Sequence, residues 1–268
     1  MPEKLRSSIV LVNSVSDFAA QDGAAMIVTG SHCGIGVAQY LAGTAVCGLL
    51  GNDAGVPADA VALATLDRFR VPAAVVSNAS ARIGRASDTL DIGRVSVMNA
   101  AAALAGLRQG MSGAEAAARM LGHPPVRLPE IVGYRSRRRL LCGASSCRIV
   151  LADSASLITV ADAGSIIVTG SHGGLVGGLV SRGLRADAAL AFFNDAGRGY
   201  RGAGIARLAA LERVGVAAAT IAAESARIGS ALATWRGGVV SFANEKALTA
   251  GLRIGMTVQD AVAALVQP

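Results

Sequence analysis

Met26-Ile27-Val28-Thr29-Gly30-Ser31-His32 returns 140 residues later as Ile166-Ile167-Val168-Thr169-Gly170-Ser171-His172. Each copy is a short apolar run that closes on glycine and polar residues, the pattern of a buried strand ending in a turn. Further blocks recur in the same order. Ile9–Ser14 matches Ile149–Ser154, and Asn52-Asp53-Ala54-Gly55 matches Asn194-Asp195-Ala196-Gly197. A longer second loop, Arg198–Gly204, then moves the offset to 145. At that offset Ser80-Ala81-Arg82-Ile83-Gly84 pairs with Ser225-Ala226-Arg227-Ile228-Gly229, and Val95-Ser96 and Asn99 with Val240-Ser241 and Asn244. Gly106-Leu107-Arg108 reappears as Gly251-Leu252-Arg253. Collinear repetition on this scale reads as an internal duplication. Solenoid periods are only ~20–50 residues, so each copy is a domain-sized unit.

The expected organisation is a first repeat over 1–121, a linker over 122–147 and a second repeat over 148–268. The linker carries Pro124, Pro125 and Pro129, which stop the preceding helix and stiffen the connection. Its run Tyr134-Arg135-Ser136-Arg137-Arg138-Arg139 has no counterpart in the other half and reads as a solvated surface. Within a repeat, apolar runs at Ile9–Val12, Met26–His32, Ala45–Leu50, Ala73–Val76 and Val95–Met98 alternate with helical patterns around Val37–Leu41 and Val61–Phe69. Ser112-Gly113-Ala114-Glu115 and Thr257-Val258-Gln259-Asp260 are helix-capping signals. Continuous apolar strands between helices predict the α/β class, as two pseudo-two-fold-related units with mostly parallel sheets.

The chain has 268 residues, 52% of them hydrophobic and 16% charged, which excludes a disordered chain. Mean hydropathy is +0.49. Even so, Gly, Asp, Asn or Arg interrupts every apolar run before the ~18–20 residues of a bilayer-spanning helix. The opening residues lack the pattern of a secretory signal, so the expected location is the cytoplasm, with no membrane partner. The four cysteines, Cys33, Cys47, Cys142 and Cys147, form no Cys-x-x-Cys and read as reduced thiols. Net charge is +7, carried almost wholly by scattered arginines without interleaved aromatics, which argues against a nucleic-acid partner.

Polar residues written in both copies are the candidate site, because apolar positions drift while packing survives. Nearly all fall just after an apolar run, at the carboxyl edge of a parallel sheet, where ligands of α/β proteins bind. Ser31, His32 and Gly34, with Ser171, His172, Gly173 and Gly174, form glycine-rich turns whose N–H groups are candidates for binding an oxyanion. Two of the three histidines sit here, read as acid/base or orienting groups, with the serines as donors or nucleophiles. Asp53 and Asp195 are candidates to orient those histidines. Asn52 and Asn194 precede them as substrate-binding candidates. Arg82 and Arg227, beside Ser80 and Ser225, offer a planar fork suited to carboxylate or phosphate. Asn99 and Asn244 either contact a substrate carbonyl or cap the following helix, and the cap is preferred.

Thr29–Gly36 resembles the glycine-rich cofactor loop of short-chain dehydrogenases, and Asn52–Gly55 resembles their Asn-Asn-Ala-Gly segment. The two lie too close together for that family, the second copy lacks the Gly-Ile-Gly ending, and no Tyr-x-x-x-Lys exists. That resemblance is therefore set aside. The leading expectation is a hydrolase or amidohydrolase acting on a small acidic carbonyl compound. A lyase or isomerase using the same groups is one alternative, and a non-catalytic module for an anionic metabolite or phosphate ligand is another. No cofactor is expected. A metal ion gathered by the two histidines and two aspartates is conceivable, but no His-x-x-His or HExxH spacing supports one. A homo-oligomer is also compatible with the sequence.

Overall fold

Apolar runs buried on both faces of a sheet have no polar alternation to keep, and in the computed structural model they become parallel strands. The structure describes residues 8–18, 24–130, 134–142, 148–179 and 184–266. It separates into two units: Met1–Arg135 with the short segments Val176–Gly178 and Gly199–Arg201, and the remainder, Ser136–Leu175, Leu179–Arg198 and Gly202–Pro268.

The first unit holds a six-stranded sheet of β1 (Ile9–Val12), β2 (Ala24–His32), β3 (Ala45–Asn52), β4 (Ala73–Val76), β5 (Val95–Met98) and β6 (Val126–Arg127). The order is β1-β2-β3-β4-β5, with β6 paired to β3. β1 to β4 are parallel, while β5 and β6 run antiparallel to their partners. Helices α1 (Val61–Asp67), α2 (Ala86–Asp91), α3 (Ala100–Leu104) and α4 (Gly113–Leu121) connect or flank them.

Period-two alternation divides the side chains between two cores. Ile27, Leu49 and Val75 pack with Leu41, Leu63 and Leu66 on one face. Met26, Val28 and Leu50 pack with Leu90, Ala116 and Met120 on the other. The chain therefore changes face between β4 and α2, and it does so across the carboxyl edge.

The second unit also holds a six-stranded sheet, of β7 (Arg138–Cys142), β8 (Arg148–Ala152), β9 (Ile166–His172), β10 (Leu190–Asn194), β11 (Ala218–Ile221) and β12 (Val240–Ala243). The order is β12-β11-β10-β9-β8-β7; β8 to β11 are parallel, and β7 and β12 are antiparallel edges. Its helices are α5 (Ala206–Arg213), α6 (Ala231–Gly237), α7 (Glu245–Thr249) and α8 (Val258–Val266).

Several details differ from expectation. Val37–Leu41 forms a 3-10 helix. The stretch 122–147 is more than a connector, since β6 and β7 fall inside it. Arg138 and Arg139 therefore belong to a strand, with Arg138 paired to the buried Asp162. Both capping signals hold: the Ser112 hydroxyl accepts from Glu115 N–H at 3.2 Å, and that of Thr257 from Asp260 N–H at 3.1 Å. Among the described residues no helix is long and apolar enough to cross a membrane.

Candidate functional site at the carboxyl edge of each sheet

The crossing segment after β4 lies as a strap over the strand ends, and the repeated residues fasten it. Gly84 N–H donates to Gly30 O at 2.7 Å, Asn52 Nδ2 donates to Ala81 O at 3.1 Å, and Ala86 N–H donates to Asn13 Oδ1 at 3.0 Å. These bonds tie the strap to the ends of β2, β3 and β1 in turn. The second unit makes the same three, from Gly229 N–H to Gly170 O at 2.7 Å, Asn194 Nδ2 to Ala226 O at 3.0 Å and Ala231 N–H to Asp153 Oδ1 at 2.9 Å. Thr89 and Thr234 donate their hydroxyls to Thr29 O and Thr169 O, both at 3.1 Å. Asn13 and Asp153 differ between the copies, and identity alone does not mark them. Thr89 and Thr234 share the 145-residue offset, the one signal in the sequence that marks them.

Beyond the strap, β2 and β9 end on serine and histidine. Ser31 Oγ accepts from Val15 N–H at 2.9 Å, and Ser171 Oγ from Ala155 N–H at 2.8 Å. Each hydroxyl is thus directed to the turn after the neighbouring strand, β1 or β8. His32 instead stands in register with Asn52 of β3, and His172 with Asn194 of β10. Their Nδ1 atoms accept from the N–H two residues on, at 2.9 Å from Gly34 and 3.1 Å from Gly174. An Nδ1 that accepts places the proton of the neutral ring on Nε2. Burial pushes the pKa of His32 down to about 4.

These bonds correct the expected oxyanion-binding turn. The N–H groups of Gly34 and Gly174 are taken by the histidine rings, and that of Gly173 by Asn194 O at 2.7 Å.

Asn52 and Asp53 make consecutive turns on their own backbone. Asn52 Oδ1 accepts from Ala54 N–H and Asp53 Oδ1 from Gly55 N–H, at 2.9 and 3.0 Å. Asn194 and Asp195 do the same with Ala196 and Gly197, both at 2.9 Å. Asp53 Oδ1 also takes Asn78 N–H at 2.8 Å, and Asp195 Oδ1 takes Ala223 N–H at 3.0 Å. Asp195 is buried, and burial raises its pKa against the opposing bonds from Ser241, Gly197 and Ala223.

The arginines differ between the units. Arg82 does not offer an open fork: its Nε and Nη2 hold Asp88 Oδ2 and Oδ1 at 2.6 and 3.0 Å. Burial would raise the Asp88 pKa, but the bonds from the Arg82 side chain and backbone outweigh it and hold the carboxyl low. Ala233 occupies the place of Asp88 in the second repeat, and Arg227 is exposed.

Ser80 and Ser225 are structural ties, each donating to the carbonyl three residues back at 2.7 Å and accepting from Arg94 or Val239 N–H. Asn99 caps α3 and Asn244 caps α7, as preferred. Their amides also reach Leu63 O and Val71 O, or Val216 O.

Cys33 and Cys47 are free and buried, and Cys147 lies outside the described residues. Among the described residues no group of three or more His, Cys, Asp or Glu stands together in a way that could hold a metal ion. No protein-family model, no curated protein and no solved structure matches this chain.

Proposed function

We propose that this protein is an internally duplicated α/β chain that binds a small anionic carbonyl compound at the carboxyl edge of its parallel strands. The observation that carries the reading is the fixed state of the histidines. A neutral ring held through Nδ1 keeps Nε2–H as a donor, and His32, at about 4, stays neutral at physiological pH. A neutral imidazole N–H donates to a carbonyl or carboxylate oxygen without the cost of burying a cation. The serine hydroxyls and aspartate carboxylates are engaged in turns, which favours a binding module over a nucleophilic hydrolase.

A hydrolase, amidohydrolase, lyase or isomerase is the second reading. Asp195 favours it, since a carboxyl held above its ordinary pKa is suited to moving protons. Residence in a reducing cytoplasm belongs to the same proposal, supported by the buried thiols of Cys33 and Cys47.

A thermal-stability screen of carboxylates, phosphates and cyclic amides in an anion-poor buffer tests the proposal. A ligand at a hundred times its Kd adds about 2.7 kcal/mol of stability. The expected result is stabilisation by a small carboxylate or phosphate that disappears when His32 and His172 are both replaced by alanine. Unchanged binding by the double variant, or no response to any anion, overturns the reading. Turnover of a stabilising amide would favour the enzymatic alternative.

A further inference from the structure

Three positions change together between the repeats. Cys33, Gly51 and Ala62 of the first correspond to Gly173, Phe193 and Arg207 of the second. Gly51 leaves room for the neighbouring thiol, since a Cβ there would lie 2.4 Å from Cys33 Sγ. In the second unit the sulfur is gone, because a Cβ on Gly173 would meet Gly204 O at 2.5 Å and Thr220 Cγ2 at 2.8 Å. Phe193 fills the opened space, fully buried, and the Arg207 guanidinium lies 4.6 Å over its ring.

Arg207 is 2% exposed, a rare state for arginine and a costly one to maintain for its charge. Its backbone N–H donates to Gly173 O at 2.8 Å and its Nη2 donates to Gly174 O at 2.9 Å. In the first unit Ala62 N–H donates to Cys33 O at 3.1 Å, and Gly34 O is met by the backbone N–H of Val37 at 3.2 Å, so no side chain is needed there.

We infer that Arg207 is a positioning residue, which grips both carbonyls of the Gly173–Gly174 turn and thereby fixes the His172 ring with Nε2–H as its donor. The links are short: Arg207 holds Gly174 O, and Gly174 N–H holds His172 Nδ1. Stacking on Phe193 stiffens the guanidinium further, a cation–π contact that lysine reproduces poorly. The inference deepens the proposed function and rests on it for one point, that His172 Nε2–H meets a ligand. The second unit then holds its second turn carbonyl through a buried side chain, where the first uses the backbone N–H of Val37.

The test uses the full-length chain labelled with 15N-histidine, reading ring tautomers and the hydrogen exchange of the Gly174 and Gly34 amides. In the wild type His172 is expected wholly as the Nε2–H tautomer, and a ring protonated on Nδ1 would overturn the inference. In Arg207→Met, His172 should become a mixture of tautomers, and Gly174 N–H should exchange about ten-fold faster. His32 and Gly34 serve as the internal control and should not move. An unchanged His172 in a folded Arg207→Met chain, or equal changes at both histidines, overturns the inference. Arg207→Lys keeps the charge and a donor but loses the stacked fork, and should leave His172 between the wild type and Arg207→Met. If the methionine variant does not fold, a lysine variant with mixed tautomers at both histidines also rejects the proposal. Ligand titration separates the two claims: a Gly174 effect without any anion binding leaves the positioning role standing and removes the proposed function.

Discussion

Gly30 and Gly170 lie under the straps so closely that the backbone leaves no space for a methyl group. A Cβ on Gly30 would sit 2.3 Å from Arg85 N, and one on Gly170 would sit 2.4 Å from Ser230 N. Both obstacles are main chain, so a rotamer change cannot relieve the clash. Gly30→Ala and Gly170→Ala should each lower stability by about 3 kcal/mol, read as a fall in the urea midpoint at constant slope. His32 makes a prediction of opposite character, in pH. Its folded pKa of about 4 lies below the ordinary value of 6.5, so between those limits the unfolded chain binds the proton more readily. The contribution to stability is complete above pH 6.5 and is lost progressively as pH falls toward 4. Urea midpoints should decline through that window, and His32→Gln, which keeps an acceptor for Gly34 N–H, should flatten the decline.

The strap shows how one element can use the same fastenings twice and still diverge. Removing Arg82 strands Asp88, whose side chain is 9% exposed, so Arg82→Ala should cost about 2 kcal/mol. Arg227 is exposed, so any pair it makes is screened by solvent, and Arg227→Ala should cost less than about 1 kcal/mol. Parallel urea titrations check the difference, and equal losses would contradict it. The edge strand β7 depends on a similar pair. Arg138 meets Asp162, which is fully buried and also accepts Thr159 N–H at 2.9 Å. Arg138→Ala should therefore speed amide exchange along β7 and β8 before it affects β11. These elements also mark the limit of what the sequence makes legible. Strands such as Ile166–His172 declare themselves through continuous apolar residues, and the repeat identifies Asn52, Asp53 and Gly30 as special. Their purpose is hidden because Asx turns, caps and strap fastenings draw on the same Ser, Asn and Asp residues that catalysis uses. The linker strands β6 and β7 are short and carry arginine; β6 pairs with the start of β3, ahead of its register with β4, and β7 pairs with the edge of β8, and neither pairing is written in the strand's own pattern.

On the scale of the molecule, two cores exist in each unit, and every fastening described above closes within one unit. Such a chain has the means to lose one unit while keeping the other, which departs from two-state unfolding. Cys33 reports on the first unit from inside it. The thiol is 1% exposed, and burial pushes its pKa up to about 12, so it reacts only after that unit opens. Brief alkylation followed by peptide mass mapping measures this opening without interference from the other cysteines. Gly30→Ala should accelerate Cys33 labelling by about 100-fold, the population change that matches the expected loss in stability. Gly170→Ala weakens the second unit by a similar amount and should leave the Cys33 rate within about two-fold of the wild type. Equal acceleration by both variants would mean that the two units unfold as a single cooperative body, and their matching fastenings would then have to be understood as one structure instead of two.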